Sequence, residues 1–252
     1  MIPMSIQAGL WGLFSGGALV LGAAVGYFAA LPTRTVATVM AFGSGVLVSA
    51  LSFELMEPAY STGGLLPSAV GFMVGAVLYS AANWYLGHHG AKHRKRSGNQ
   101  LSEDKQAGGS GTVIAAGALI DGIPESIAIG LTFLSGGGVG IAAVAAIFIS
   151  NLPEGLSSAA GMKKAGRTPI YIFALWTSIA IVSGVAAFLG YTLCKNVSPG
   201  VMAAMSAVAG GAIMAMLVET MIPEAFEGTR NLAGLEACAG FLVSFAITVL
   251  AE

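Results

Sequence analysis

Residues 110–133 read SGTVIAAGALIDGIPESIAIGLTF, and residues 139–162 read VGIAAVAAIFISNLPEGLSSAAGM. Each is an apolar run of the length that a bilayer-crossing helix needs, about 20 residues. Neither alternates apolar and polar residues as a barrel strand does. Ionisable groups stand near the middle of both, Asp121 and Glu125 in the first and Glu154 in the second. Each glutamate follows a proline, and the surroundings echo one another: Ile123-Pro124-Glu125-Ser126-Ile127 against Leu152-Pro153-Glu154-Gly155-Leu156. An ionisable side chain at the bilayer centre costs about 2.5–3.5 kcal/mol on insertion scales, so three facing lipid would cost on the order of 8–10 kcal/mol. These carboxylates are therefore predicted to face one another, water or a cation.

The rest of the chain agrees with a membrane setting. Of its 252 residues 56% are hydrophobic and 9% are charged, where a soluble domain carries about 25% charged residues. The mean hydropathy is +0.82. Such a chain cannot cover a water-facing surface, and its 11 Lys and Arg are too few for a nucleic-acid binder. Breaks in Pro, Gly and charge predict eight spans, at about 5–30, 36–57, 65–88, 110–133, 139–162, 168–194, 201–226 and 232–250. They leave no room for a soluble domain, so residues 1–252 are expected to form a single transmembrane domain. The first span lacks a basic leader and is too long for a signal peptide, and reads as a helix. Cys194 and Cys238 form no metal or disulfide pattern.

Charge orients the spans. The odd-numbered loops hold Arg34, then Lys92, Arg94, Lys95, Arg96 and Lys105, then Lys163, Lys164 and Arg167, then Arg230; the even-numbered loops hold only Lys195. By the positive-inside rule the odd loops are cytoplasmic and both termini lie outside, in a multi-pass protein of the inner or plasma membrane. The stretch at about 89–109 is rich in Lys, Gly and Ser and is expected to be a mobile cytoplasmic loop. His88, His89 and His93 open it, as incidental loop histidines or as a weak metal-collecting tract.

A second echo joins distant spans. Glu54-Leu55-Met56-Glu57-Pro58 in span 2 and Glu219-Thr220-Met221-Ile222-Pro223 in span 7 share Glu, Met and Pro, and the same shift of 165 positions lays Gly45 on Gly210. Span 2 runs outward and span 7 inward, so the shared motif predicts an inverted repeat, a device of secondary transporters. The fold expected is an all-α integral membrane protein of eight transmembrane helices, in a 3+2+3 arrangement with inverted repeats and spans 4 and 5 as the central pair.

Spacing defines a candidate site. Asp121 and Glu125 are four apart and share a helix face, as do Ser150 and Glu154, with Asn151 one turn from Glu154. A proline within a helix removes the donor for the carbonyl four residues earlier, here Ile120 and Ile149. Free carbonyls beside carboxylates in a broken midplane helix describe a cation site, made of Asp121, Glu125, Ser150, Asn151 and Glu154. The alternative is protonated carboxyls hydrogen-bonded between helices. Glu54, Glu57, Glu219, Glu224 and Glu227 lie nearer span ends, as interfacial groups or as an entry and exit path shared with His88, His89 and His93.

The eight spans, the outside termini, the histidine-bearing loop between spans 3 and 4, and the two Pro-Glu segments resemble the ZIP (Zrt/Irt-like protein) divalent metal transporters, in their prokaryotic branch. The resemblance covers the whole chain and implies movement of a divalent metal into the cytoplasm, zinc first, with manganese, iron or cadmium as alternatives. The family usually has His-Asn ahead of the span 4 Pro-Glu; Asp121 and Gly122 stand there, and Ser150 stands where span 5 often has His or Gln. The resulting site is all oxygen, which suits harder ions than imidazole does, although zinc accepts carboxylates. No enzyme is expected, because intramembrane aspartyl, zinc and serine proteases need groups missing at mid-membrane here. A non-transporting metal-binding or degenerate homologue, and a transporter of a different cation, stay open. The partners expected are divalent metal ions and the lipid bilayer, with no nucleic acid and no cofactor; small-residue spacing at Gly12, Gly16, Gly22 and Gly26 admits a homodimer or packing within one chain.

Overall fold

The computed structural model describes residues 2–29, 31–88, 110–134, 140–164 and 166–251, and all its long elements are helices. They are α1 (Met4–Phe28), α2 (Thr33–Gly63), α3 (Leu65–Leu86), α4 (Ser110–Thr132), α5 (Ile141–Lys164), α6 (Pro169–Cys194), α7 (Pro199–Thr229) and α8 (Ala233–Ala251). Among the described residues there is no strand. Among the described residues seven of these helices, α1–α3 and α5–α8, are long and apolar enough to cross a membrane by length and composition, so this is a multi-pass membrane protein. The predicted loop at 89–109, with His89 and His93, lies outside the described residues.

Local chemistry sets most of the ends. Gly64 takes φ 79°, which lets α3 begin one residue after α2 stops. Pro169 and Pro199 occupy the first turns of α6 and α7, where a missing N–H costs nothing, and the Thr168 hydroxyl accepts from the Tyr171 N–H. Two helices outrun their predicted ends. α2 continues past 57 to Gly63, and α7 past 226 to Thr229. Each contains a π-helical turn, Leu51–Met56 in α2 and Leu217–Met221 in α7, just ahead of its proline. The Glu57 N–H reaches back five residues to the Ser52 carbonyl, and the Ile222 N–H five residues to that of Leu217. The wider turn absorbs the bond that Pro58 and Pro223 cannot make, so neither proline ends its helix.

Packing divides the helices into two groups. α1 lies along α5 and α6, and α4 lies along α6; α2 lies along α8, and α3 along α7. The groups meet where α2 touches α5 and α4 touches α7, around a core that includes Leu47, Ile129, Ile147 and Met216. Outward faces of α3 and α8 present Leu65, Val70, Met73, Val77, Leu242 and Val249, as lipid-facing helices do.

The seams rely on glycine, as membrane helix contacts do. Gly45 of α2 lies against the Ala237 backbone of α8, and Gly240 of α8 against that of Phe42; a Cβ on either would strike a carbonyl. In the other pair, Gly211 of α7 lies against Phe72 of α3, and Gly75 of α3 against Val208. Phe72 and Gly75 precede Ala237 and Gly240 by 165 positions, while Phe42 and Gly45 precede Val208 and Gly211 by 166. By packing, the counterpart of Gly45 is therefore Gly211, not the Gly210 that the motif shift selects. The π turn of α7 is one residue shorter than that of α2, five residues against six, and this accounts for the slip. Gly12 and Gly16 pack on α6, and Gly22 and Gly26 on α5, so their spacing needs no second copy to explain it.

Candidate functional site

Pro124 and Pro153 sit inside α4 and α5. Around them Asp121 is 1% exposed, Glu125 2% and Glu154 6%, and Ser150 and Asn151 are buried as well. All five residues of the predicted site thus lie inside the protein. The hydroxyls near the prolines turn back on their own helices: Ser126 donates to the Gly122 carbonyl at 2.7 Å and Ser150 to that of Ile147 at 2.9 Å. Such back-bonds satisfy the hydroxyl proton and leave the oxygen lone pairs as acceptors. The Asn151 amide donates to the Ser15 carbonyl of α1 at 3.2 Å, which ties α5 to α1 beside Pro153. Gly22 on α1 rests against the Leu152 carbonyl and Gly155 against that of Leu19, so two backbones touch beside Pro153. From α2, Gly43 approaches Ser150 and Pro153.

The central pair shares a packing rule. Leu156 and Ile127 each follow a Pro-Glu glutamate by two positions. Gly26 of α1 lies against the Leu156 carbonyl, and Gly190 of α6 lies against that of Ile127. The echo between spans 4 and 5 is thus also an echo in how each helix meets its neighbour.

One contact was missed by sequence reading. The Tyr79 hydroxyl of α3 donates to Asp121 Oδ1 at 2.5 Å, with both residues buried. Tyr79 sits in a run of apolar and small residues and has no motif of its own, so nothing in its spacing marks it.

The outlying acids separate. Glu54, in the π turn of α2, accepts from the Thr248 hydroxyl of α8 at 3.0 Å. Glu219, in the π turn of α7, accepts from Asn83 of α3 at 2.7 Å and from the Ser80 hydroxyl. Glu57 is exposed and Glu224 half-buried at the first turns that follow. His88 lies exposed beyond the end of α3, its Nδ1 2.8 Å from the Trp84 carbonyl and its ring against the Trp84 ring. Thr38 of α2 donates to Glu236 of α8 at 2.9 Å, a pair that the sequence did not single out.

Among the described residues no three His, Cys, Asp or Glu side chains gather closely enough to hold a metal ion by themselves. A cation held at α4 and α5 must therefore draw part of its shell from amide, hydroxyl and carbonyl oxygen. That donor set suits hard or borderline ions bound weakly rather than a permanently seated metal. No family model matches this chain, and no curated protein matches it.

Proposed function

We propose that this chain is a transporter that moves a divalent metal ion into the cytoplasm, zinc first, with manganese, iron or cadmium as alternatives. The ion passes through an intramembrane site on α4 and α5 made of Asp121, Glu125, Ser150, Asn151 and Glu154. The observation that carries the reading is the burial of three carboxylates beside two helix-interior prolines, inside a chain of membrane-crossing helices. Buried acids in this setting need a cation, a proton or one another. A transported ion must also leave, which favours a site without a full cage of charged ligands.

Eight crossings in a 3+2+3 plan, with inverted repeats, are part of the same proposal. The reciprocal glycine seams of α2 with α8 and of α3 with α7 support it, as do the paired π turns. Direction supports the count. Near their starts α2 and α8 are joined by Thr38 and Glu236, and further along by Glu54 and Thr248, so the two run parallel. Five helices lie between them in the chain; with α3, α5, α6 and α7 crossing, α4 must cross too for α2 and α8 to point the same way. The basic loops then put both termini outside. The packing into two groups supports alternating access, in which α1, α4, α5 and α6, with the site on α4 and α5, rock against α2, α3, α7 and α8.

A second reading, a non-transporting metal-binding or degenerate homologue, is favoured by the lack of any group of three charged or imidazole ligands among the described residues. Uptake into proteoliposomes, with Zn²⁺, Cd²⁺, Mn²⁺, Fe²⁺ and Mg²⁺ offered singly, separates the two. Flux in the wild type, lost in Glu154→Ala, supports transport. Bound metal without flux supports the second reading, and metal-independent currents point to another cation.

A further inference from the structure

We propose that Tyr79 is a positioning residue that competes with the transported cation for Asp121, resting on the transport reading above. Three observations carry it. First, the bond joins the two helix groups: Tyr79 belongs to α3, which packs along α7, and Asp121 to α4, which packs along α6. Second, it bridges a gap. Beside it an apolar groove of about 360 Å³, open on one side, runs between the helices, lined by Gly75, Leu78 and Ala82 of α3, Ile123 and Pro124 of α4, and Ala209 of α7. The ring of Tyr79 packs in the core while its hydroxyl crosses to α4 beside this groove. Third, the contact is buried and short, 3% exposure for Tyr79 and 2.5 Å to Oδ1. A hydrogen bond of this kind, phenol to carboxylate, is among the stronger neutral-to-charged ones.

The chemistry follows from the lone pairs. A phenol proton on Asp121 Oδ1 withdraws electron density that a metal ion on the same carboxylate would draw, so each weakens the other even when the ion binds through Oδ2. When the cation arrives, the Tyr79 bond lengthens, and the link between α3 and α4 loosens. When the cation leaves, Tyr79 takes its place and Asp121 is not stranded in a low-dielectric interior, where an unsatisfied charged group is costly. Tyr79 thus lowers affinity and speeds release, and it ties site occupancy to the relation between the two helix groups.

The test is Tyr79→Phe, which keeps the ring and removes only the hydroxyl. Proteoliposome uptake of Zn²⁺ and Mn²⁺ is measured beside calorimetric binding of the same ions to purified protein. The expected result is a KM and a Kd about tenfold lower than wild type, with a maximal rate about tenfold lower. In an Asp121→Asn background the same change should move neither constant. A residue of purely structural importance would instead lower the maximal rate with KM and Kd unchanged, and that result overturns the proposal. Should Tyr79→Phe fail to fold, Asp121→Asn in the wild-type background takes over: raised Kd and KM are expected, and an unchanged Kd overturns it. The two readings fail separately. Wild-type binding without uptake removes transport, and the shift of Kd in Tyr79→Phe still decides the competition; no binding of either ion by wild type overturns it outright.

Discussion

Asn83 and Thr248 stand 165 positions apart, and each donates to the glutamate of a π-helical turn in the helix beside it. Asn83 of α3 serves Glu219 of α7, and Thr248 of α8 serves Glu54 of α2; the two glutamates are themselves 165 positions apart. Chance likeness between two Gly- and Ala-rich helices does not produce matching donors on two further helices. The relation has a physical use. A π turn opens the backbone ladder and turns one side chain out of the α-helical register, and a donor on the neighbouring helix then holds that carboxylate in place.

The two clasps should therefore have similar energies. Double-mutant cycles with Glu54→Gln and Thr248→Val, and with Glu219→Gln and Asn83→Leu, are expected to give couplings of about 0.5–1.5 kcal/mol each, in the range of polar contacts between membrane helices. Reversible unfolding in mixed micelles measures both. A coupling near zero at one clasp only would mean that the halves share geometry but not energetics.

Close helix approach predicts a sharp contrast among glycines. A Cβ at Gly45 or Gly75 strikes a carbonyl of the adjacent helix, whereas one at Gly17 meets nothing within 4 Å. Gly45→Ala and Gly75→Ala should each cost about 1–3 kcal/mol by overpacking. Gly17→Ala should be neutral or add up to about 1 kcal/mol through helix propensity. Thermal unfolding of the three variants checks this, and equal effects at all three positions would contradict the packing described.

Much of the fold was legible because bilayer thickness dictates span length and apolar runs report it. Each of the eight predicted spans is found as a helix, with ends displaced by a few residues. The largest displacement, at the end of α2, falls at Pro58, because a proline is a stop signal in sequence and the π turn that absorbs it carries no residue signature. The one-residue slip from Gly210 to Gly211 has the same origin. The burial of Asp121, Glu125 and Glu154 was legible because a charge mid-way along an apolar span must turn away from lipid. Tyr79, Asn83 and Thr248 were not, since a phenol, an amide or a hydroxyl is cheap in a membrane helix, and only the third dimension shows what each one reaches.

The prolines should matter for transport more than for folding. Pro153→Ala restores the N–H that the Ile149 carbonyl lacks and straightens α5 where α1 touches it. Unfolding temperature is expected to hold or rise, while metal uptake falls about tenfold or more as carbonyl oxygen is withdrawn from the site. A variant with wild-type uptake would show that the kink takes no part in holding the ion.

The orientation can be tested with single cysteines, after replacement of Cys194 and Cys238. Ser61, near the end of α2, and Lys164, at the end of α5, are both exposed, and the charge argument puts them on opposite sides of the membrane. A membrane-impermeant thiol reagent applied to intact cells should label Ser61→Cys and spare Lys164→Cys, with the pattern reversed in inside-out vesicles. Labelling of both from one side would remove one of α3, α4 and α5 from the crossing helices.

On the transport proposal, ion preference turns on Asp121. The site residues on α4 and α5 offer oxygen alone, and oxygen donors favour manganese and magnesium relative to what imidazole favours. Asp121→His places one imidazole nitrogen in that set and keeps an acceptor within reach of the Tyr79 hydroxyl. It removes a negative charge, so affinity for every divalent ion should fall in absolute terms. The fall should be smaller for zinc and cadmium, whose bonds to nitrogen compensate, and larger for manganese. Competition uptake, with Zn²⁺ and Mn²⁺ at equal concentration, should therefore show the Zn/Mn ratio rising by about tenfold over wild type. If overall uptake drops and the ratio stays fixed, Asp121 acts through charge at a distance and does not touch the ion. The direct contacts would then fall to Glu125 and Glu154 alone.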